Sequence, residues 1–600
     1  MRQILTVLGS VLTVGGSLGW TSVAQAEQSL HLTYPPKQHE TTAEQIFLIG
    51  TAPPEGEVLV NGKPIPRSEA GHFAPSFPLK MGENQFTLRY RNQEVQIEVT
   101  RTSPEPKMPA GIGFAEDSLT PARDMARLPE ELICFGAVAP PKATVSVELG
   151  THTIPLSPQP QAVQLPPSSA ALTGEIQPDS RSSVGQYKGC TTFSQPTNLG
   201  NPLFQLRKNG KTVSQQSSAS VEILSPANLD VVEVTAEEGD ARTGPSTSYS
   251  RLTPLPKGTT AAVTGREGEW LRLDYGAWIK EAETRLLANA IPPKSLIRSI
   301  LSRQAEGATE VIFPLTTPVP VSVQQGDNTF TLTLHNTTAR TDTIRLDNDP
   351  LIKRLDWQQV TPTQVQYTFQ LKPEQQWGYD LQYEGTSLIV SLRYPPEGGQ
   401  RSRRAEEQGG MYTNRPLAGV EILLDPGHGG EELGSKGPTG YPEKDVNLVV
   451  SKLLEKELRR RGAIVYMTRE RDKEVSLQQR VEMINLVEPA ITLSIHYNAL
   501  PDSGDAINTA GVGAFWYHPQ AHNLAVFLQN YLVEKLDRPS YGVFWNNLAL
   551  TRPHTAPAVL LELGFMINPT EFEWITNPQA QERLANTLAD GITEWFLDTR

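Results

Sequence analysis

Six hundred residues are too many for one hydrophobic core, so roughly four domains of ~150 residues each are expected. Charged residues make up 20% of the chain and the net charge is −13, which argues against a phosphate-backbone partner and against nucleic-acid binding. The 49 prolines exceed the usual ~5% and favour short strands and turns over long helices.

The N-terminus reads as an address. Arg2 supplies positive charge, Ile4 to Trp20 form an apolar run, and Ala24-Gln25-Ala26 has the small-x-small form of a cleavage site. Residues 1–26 are therefore expected to be a signal peptide, with a retained anchor as the alternative. No second long apolar run follows, so no transmembrane segment is expected after its removal. Export places the protein in the periplasm or cell envelope. The two cysteines, Cys134 and Cys190, could there close a disulfide across a β-sandwich, or stay as buried thiols.

Residues 27–104 alternate apolar and polar side chains in strand fashion, with Asn61-Gly62 as a hairpin signal. A small Ig-like sandwich fits. "ICFGAVAPPKATVSVELGTHTIP", from Ile133, echoes "FLIGTAPPEGEVLVNGKPIP", from Phe47, so residues 105–224 read as a second sandwich. It carries a Pro/Ser-rich loop near 156–186. Residues 225–290 contain Arg242-Thr243-Gly244-Pro245, Lys257-Gly258, Gly268-Glu269-Trp270 and Gly276-Ala277-Trp278-Ile279. In that order these resemble bacterial SH3 domains of exported cell-wall proteins, many of which bind wall peptides. Residues 291–396 alternate again, in a layout that resembles the AMIN domains of cell-wall amidases or is a sandwich without that role. Residues 397–416 are glycine- and charge-rich and read as a linker.

From residue 417 to 600 strands alternate with helical periods, which predicts an α/β domain with a mainly parallel sheet. The fold class is thus multidomain: N-terminal all-β modules followed by a C-terminal α/β domain. In such sheets functional groups gather at the carboxyl ends of strands. His428 follows the strand Val420–Leu424, His496 follows Ile491–Ile495, and Glu562 follows Ala558–Leu561. Glu443 opens a helix after a Gly-Pro-Thr-Gly-Tyr-Pro loop.

Two imidazoles and a carboxylate are the usual protein ligands of a catalytic zinc. A further carboxylate must then move the proton of the attacking water. Glu562 lies inside "VLLELGF", where burial should raise its pKa toward neutrality. Taken singly, His428 or His496 reads as a structural histidine and Glu443 as a helix-dipole partner. His518 and His522 are spaced i,i+4 but read as a plain helix start at Pro519, and His554 could line the cleft.

Together these residues resemble the zinc-dependent N-acetylmuramoyl-L-alanine amidases of the Amidase_3 type. "LLDPGHGG", "EKDVNL" and "SIHYNA" match the metal-ligand motifs and would place Zn2+ on His428, Glu443 and His496. "AVLLELGFMIN" matches the catalytic-glutamate motif and would make Glu562 the acid/base. Arg480 and Asn485 also resemble the family's pattern. The resemblance implies that zinc-activated water cleaves the amide between N-acetylmuramic acid and the L-alanine of the stem peptide. The implied partner is peptidoglycan, in cell-wall remodelling or daughter-cell separation, with recruitment by a cell-division protein left open.

Some amidases of this type carry a long insertion, with a zinc-blocking helix, before the catalytic-glutamate motif. None stands here, so a 417–600 fragment is expected to be active without an activator. The rivals are a zinc peptidase cutting within the stem peptide and a wall-binding scaffold with an inactive C-terminal domain.

Overall fold

The computed structural model describes residues 29–103, 108–109, 111–159, 161–166, 168, 170–173, 179–182, 185–396 and 415–599. The expected signal peptide and all but two residues of the expected linker lie outside these. No helix among the described residues is long and apolar enough to cross a membrane.

The N-terminal region is all β. In the first unit a five-stranded sheet packs against shorter ladders around Ile46, Leu48, Phe73, Leu88 and Val99. Asn61 and Gly62 both have positive φ, 49° and 78°, and join Leu59–Val60 to Lys63–Pro64. That is the primed turn whose twist matches paired strands, as the Asn-Gly pair suggested.

In the second unit Ile133–Val138 pairs antiparallel with Gln186–Thr191, and Cys134 stands directly opposite Cys190. The two are joined by a disulfide. It links neighbouring strands of one sheet rather than crossing a sandwich, because the register brings the Cα atoms to 4.0 Å. The ladder does not stop at residue 224. Met125–Arg127 pairs with Thr260–Glu267 of the next unit, so one sheet runs through both.

Residues 295–393 form a five-stranded and a four-stranded sheet closed around Phe313, Phe330, Tyr367 and Phe369. From this unit Trp377 reaches into the C-terminal core. Its ring stacks on Phe596 at 5.9 Å and meets Trp595 at 5.5 Å.

The C-terminal domain contains β1 (Glu421–Pro426), α1 (Glu443–Arg460), β2 (Ile464–Met467), α2 (Leu477–Val487), β3 (Ile491–Asn498) and β4 (Val512–Trp516). It continues with α3 (Pro519–Leu536), β5 (Ser540–Trp545), β6 (Ala558–Phe565), α4 (Pro569–Ile575) and α5 (Pro578–Asp598). The sheet order is β2-β1-β3-β6-β4-β5. β2, β1, β3 and β6 are mutually parallel, β4 runs antiparallel to β6, and β5 lies parallel to β4. A mainly parallel sheet with helices on its faces buries its strands on both sides. Ile422, Leu423 and Leu424 are accordingly fully buried.

α1 has Glu443 and Asp445 in its first turn and Arg459 and Arg460 in its last, the arrangement its dipole favours. Val446, Val450, Leu454 and Leu458 form its buried stripe at helical spacing. Each such side chain contributes about 1.5–3 kcal/mol by burial. Ser476 and Gln479 close a reciprocal capping box at the start of α2. Sequence periodicity did not reveal β5, a short edge strand without clean alternation, or α4, one turn longer than a cap.

Candidate active site

Parallel order brings the three strand ends together. β1 ends beside β3, and β3 pairs β6 with His496 in register with Glu562. Glu562 lies within β6, which continues to Phe565, and not at its end. Gly513 of β4 faces Glu562 from the other side.

His428 sits on the turn after β1 with φ of 59°, a left-handed conformation uncommon for a residue with a Cβ. Its carbonyl accepts a 2.7 Å bond from Arg480 Nη2. Arg480 also donates to the Pro426 carbonyl and to Asp425 Oδ1, at 2.9 and 2.5 Å. Asp425 is completed by Thr468 Oγ1 and Ser494 Oγ. Arg469 donates to the carbonyls of Pro426 and Gly427. A buried polar platform therefore holds the strained turn from below. Gly427 is required by proximity: a Cβ there would lie 2.2 Å from His496 Cε1.

The side chains of His428, Glu443 and His496 converge. One ligand atom from each falls within 4.8 Å of the others. Glu443 Oε2 lies 3.2 Å from His428 Nε2, and Glu443 Oε1 lies 3.0 Å from His496 Nδ1. Ser435 N, Asn447 Nδ2 and Tyr497 N donate to the same carboxylate. Burial would raise the pKa of Glu443, but the two imidazoles outweigh it and hold Glu443 far below the usual carboxylate range. For His428 burial lowers the pKa, and Glu443 and Glu432 together raise it above the ordinary value. Glu432 lies 3.0 Å from His428 Nδ1, which leaves Nε2 directed at the cluster. Two imidazoles and one ionised carboxylate, with His428 and Glu443 oriented by neighbours outside the set, could hold a divalent metal ion.

Glu562 is the fourth member. Its Oε2 is sealed from solvent and has no hydrogen-bond partner among the described residues. Burial, and then the nearby Glu443 carboxylate, push its pKa well above the usual value. Leaving that buried oxygen unpaired is costly.

The structure places the other expected residues elsewhere. Asn485 accepts from Thr555 Oγ1 and donates to Glu238 of the 225–290 unit. His518 Nε2 bonds the Arg552 carbonyl and His522 packs on Trp516. His554 does not line the cleft. It is buried against Tyr379 at 4.7 Å, and its carbonyl accepts from Tyr379 N and Gln520 Nε2. Asp425, Thr468, Arg469, Ser494 and Glu432 escaped notice in the sequence. The aspartate of "LLDPGHGG", a charge within a buried-strand run, was the available signal.

The family model for N-acetylmuramoyl-L-alanine amidases of the Amidase_3 type matches residues 422–594. A "Probable cell wall amidase LytH" of Staphylococcus epidermidis is 36% identical over 186 residues, 31% of this chain and 61% of that protein. Its namesake in Staphylococcus aureus is 37% identical over 183 residues, 30% of this chain and 60% of that protein. The chain thus spans about three fifths of the length of these relatives. Among solved structures, the catalytic domain of CwlV, an N-acetylmuramoyl-L-alanine amidase from Bacillus (Paenibacillus) polymyxa, is 29% identical. The alignment covers 30% of this chain and 99% of that one, with a TM-score of 0.28. Residues 422–594 of this chain are therefore an Amidase_3 domain, homologous to these cell-wall amidases.

Proposed function

We propose that this protein is an exported cell-wall hydrolase that cleaves the amide between N-acetylmuramic acid and the L-alanine of the peptidoglycan stem. The observation that carries this reading is Glu562, whose sealed and unpartnered Oε2 lies beside the converging His428, Glu443 and His496. Zinc held by those three residues would supply a Lewis acid that polarises the scissile carbonyl and lowers the pKa of water to about 7.

The chain's own residues do the rest. Glu562, beside the cluster, takes a proton from the attacking water. It returns that proton to the leaving nitrogen as the carbon–nitrogen bond breaks. The products are a lactyl carboxylate on the intact glycan and a peptide with a free L-alanine amino group. Glu432 holds the His428 ring, and Arg480 holds its backbone, so the ligand set is arranged before substrate arrives.

The N-terminal β units would hold the enzyme on peptidoglycan in the periplasm or cell envelope, raising its effective concentration on an insoluble polymer. The SH3-like order of motifs in 225–290 and the AMIN-like layout of 291–396 support that role. The test is digestion of a defined muropeptide, read by mass spectrometry. A new L-alanine amino terminus is expected from wild type and not from Glu562→Ala or after chelation. Cleavage inside the stem peptide would make the enzyme a peptidase, and lysis by Glu562→Ala would overturn the assignment of the base.

A further inference from the structure

We propose that the first β-sandwich, residues 29–101, is a positioning element of the catalytic domain, holding the segment that leaves His496 and the segment that enters Glu443. This rests on the amidase reading above and adds a part to that site.

Two irregular segments frame the metal-ligand cluster. Residues 499–511 follow β3, which carries His496, and return as β4, where Gly513 faces Glu562. Residues 436–442 lead directly into Glu443 at the start of α1. Irregular segments are the parts of a fold most free to move, so ligand geometry depends on what they rest on.

Both rest on the sandwich. On the first segment, Tyr34 Oη donates to Asp502 Oδ1, and His39 Nε2 lies 2.9 Å from Asp502 Oδ2. Gln45 Nε2 donates to the Ser503 carbonyl. Ala506 is buried in one apolar cluster with Phe47, Ile49 and Ala74 of the sandwich and with Phe565 and Ile567. Phe565 lies three residues beyond Glu562 on β6 and is the register partner of Asn498. The same cluster therefore touches the strand of the base and the segment leaving the ligand strand.

On the second segment, Thr33 Oγ1 donates to the Pro438 carbonyl at 2.9 Å. Gly437 lies flat against Phe572, where a Cβ would fall 2.0 Å from the ring. The same ring meets His72 of the sandwich, edge-on at 5.3 Å. Next to it, Ala70 N donates to Glu573 Oε1 at 3.0 Å. Apolar burial and polar ties thus close on both flanks of the centre. A tethering module that only bound the wall would need neither.

A positioning role and a tethering role separate on a substrate too small to need tethering. On this reading a 417–600 fragment keeps all four motifs yet turns over poorly, although no insertion blocks its site.

The experiment uses the full chain as wild type, Tyr34→Phe, Asp502→Ala and the double variant, with a soluble disaccharide–peptide as substrate. kcat and KM are measured, and zinc affinity is measured separately by chelator competition. Asp502→Ala is expected to lower kcat at least tenfold and to weaken zinc about tenfold, the scale seen when outer-shell supports of metal ligands are lost. Tyr34→Phe removes one oxygen, keeps the fold by circular dichroism, and should show a smaller loss in both. The double variant should be close to Asp502→Ala, because Tyr34→Phe removes a contact with Asp502 that Asp502→Ala already removes. Zinc affinity and kcat within twofold of wild type in both single variants, with loss only on intact sacculi, would overturn the proposal. A wild type inert on fragment and sacculi alike would instead sink the amidase reading, while the zinc comparison would still decide whether the sandwich positions the centre.

Discussion

Arg480 Nη1 lies 2.5 Å from Asp425 Oδ1, and both side chains are almost wholly buried beneath the turn that carries His428. Burial alone would raise the pKa of Asp425, but Arg480, Ser494 and Thr468 keep it lowered and ionised. The pair is structural, yet Arg480 also grips the His428 carbonyl. Stability and ligand geometry are therefore coupled at this point.

Removing one partner leaves a buried charge uncompensated. Arg480→Ala should cost about 3–5 kcal/mol in urea unfolding, and Arg480→Lys should not restore the forked contact. An unfolding midpoint within error of wild type would show that Asp425 finds another counter-charge.

Glu562→Gln should lower kcat by about 100- to 10,000-fold, the range for a lost general acid/base. Zinc affinity should persist, since Glu562 is not among the converging ligands. Stability should change little, because the substitution keeps the size of a half-buried side chain and removes a carboxylate whose sealed Oε2 has no partner. Calorimetric titration with zinc beside a thermal melt distinguishes this from a ligand role, in which affinity would collapse.

Metal removal should separate folding from binding. A chelator should lower the wild-type melting temperature, because an ion present at 100 times its Kd adds about 2.7 kcal/mol to the folded state. The same chelator should leave His496→Ala unmoved. Equal shifts in both proteins would place the ion elsewhere.

Trp377 closes the C-terminal core from outside the domain. Trp377→Ala should cost about 3–5 kcal/mol, the usual loss for a large buried aromatic. Scanning calorimetry should show the catalytic domain melting earlier. A shift confined to the 291–396 unit would mean the stacking on Phe596 contributes little.

His335 should make the molecule acid-sensitive. Its ring packs on Tyr275 at 4.6 Å and its Nε2 lies 2.9 Å from Ser322 Oγ, and burial lowers its pKa to about 4. In the unfolded chain it titrates near 6.5, so between pH 6.5 and 4 the unfolded state binds the proton and the folded state does not. Its stabilising share is complete above pH 6.5 and is lost as pH falls toward 4. Allowing for partial exposure, that share is about 2 kcal/mol. His335→Gln should flatten the melting-temperature profile in that window; an unchanged slope would assign the sensitivity to other groups.

The sequence by itself determined whatever depends on local backbone preference. Asn61-Gly62 specifies its turn because both residues tolerate positive φ. The period of Val446, Val450, Leu454 and Leu458 specifies a helix, and the alternation of strands with such helices specifies a parallel sheet. His428 and Glu443 were legible because each stands where a strand or helix borders a turn, and His496 and Glu562 because each is a polar group in an apolar run near the carboxyl end of a parallel strand. Tertiary structure alone decided the pairings across long stretches of chain. Asp425 meets Arg480 across 55 residues, and Asp502 meets His39 across 463. Trp377 enters a core belonging to another unit, His554 turns to an interdomain seam and not to the cleft, and the disulfide stays within one sheet. No local pattern encodes these contacts, because they follow from how separately formed surfaces pack. The four-residue centre could thus be read from its motifs, while what holds it in place could not.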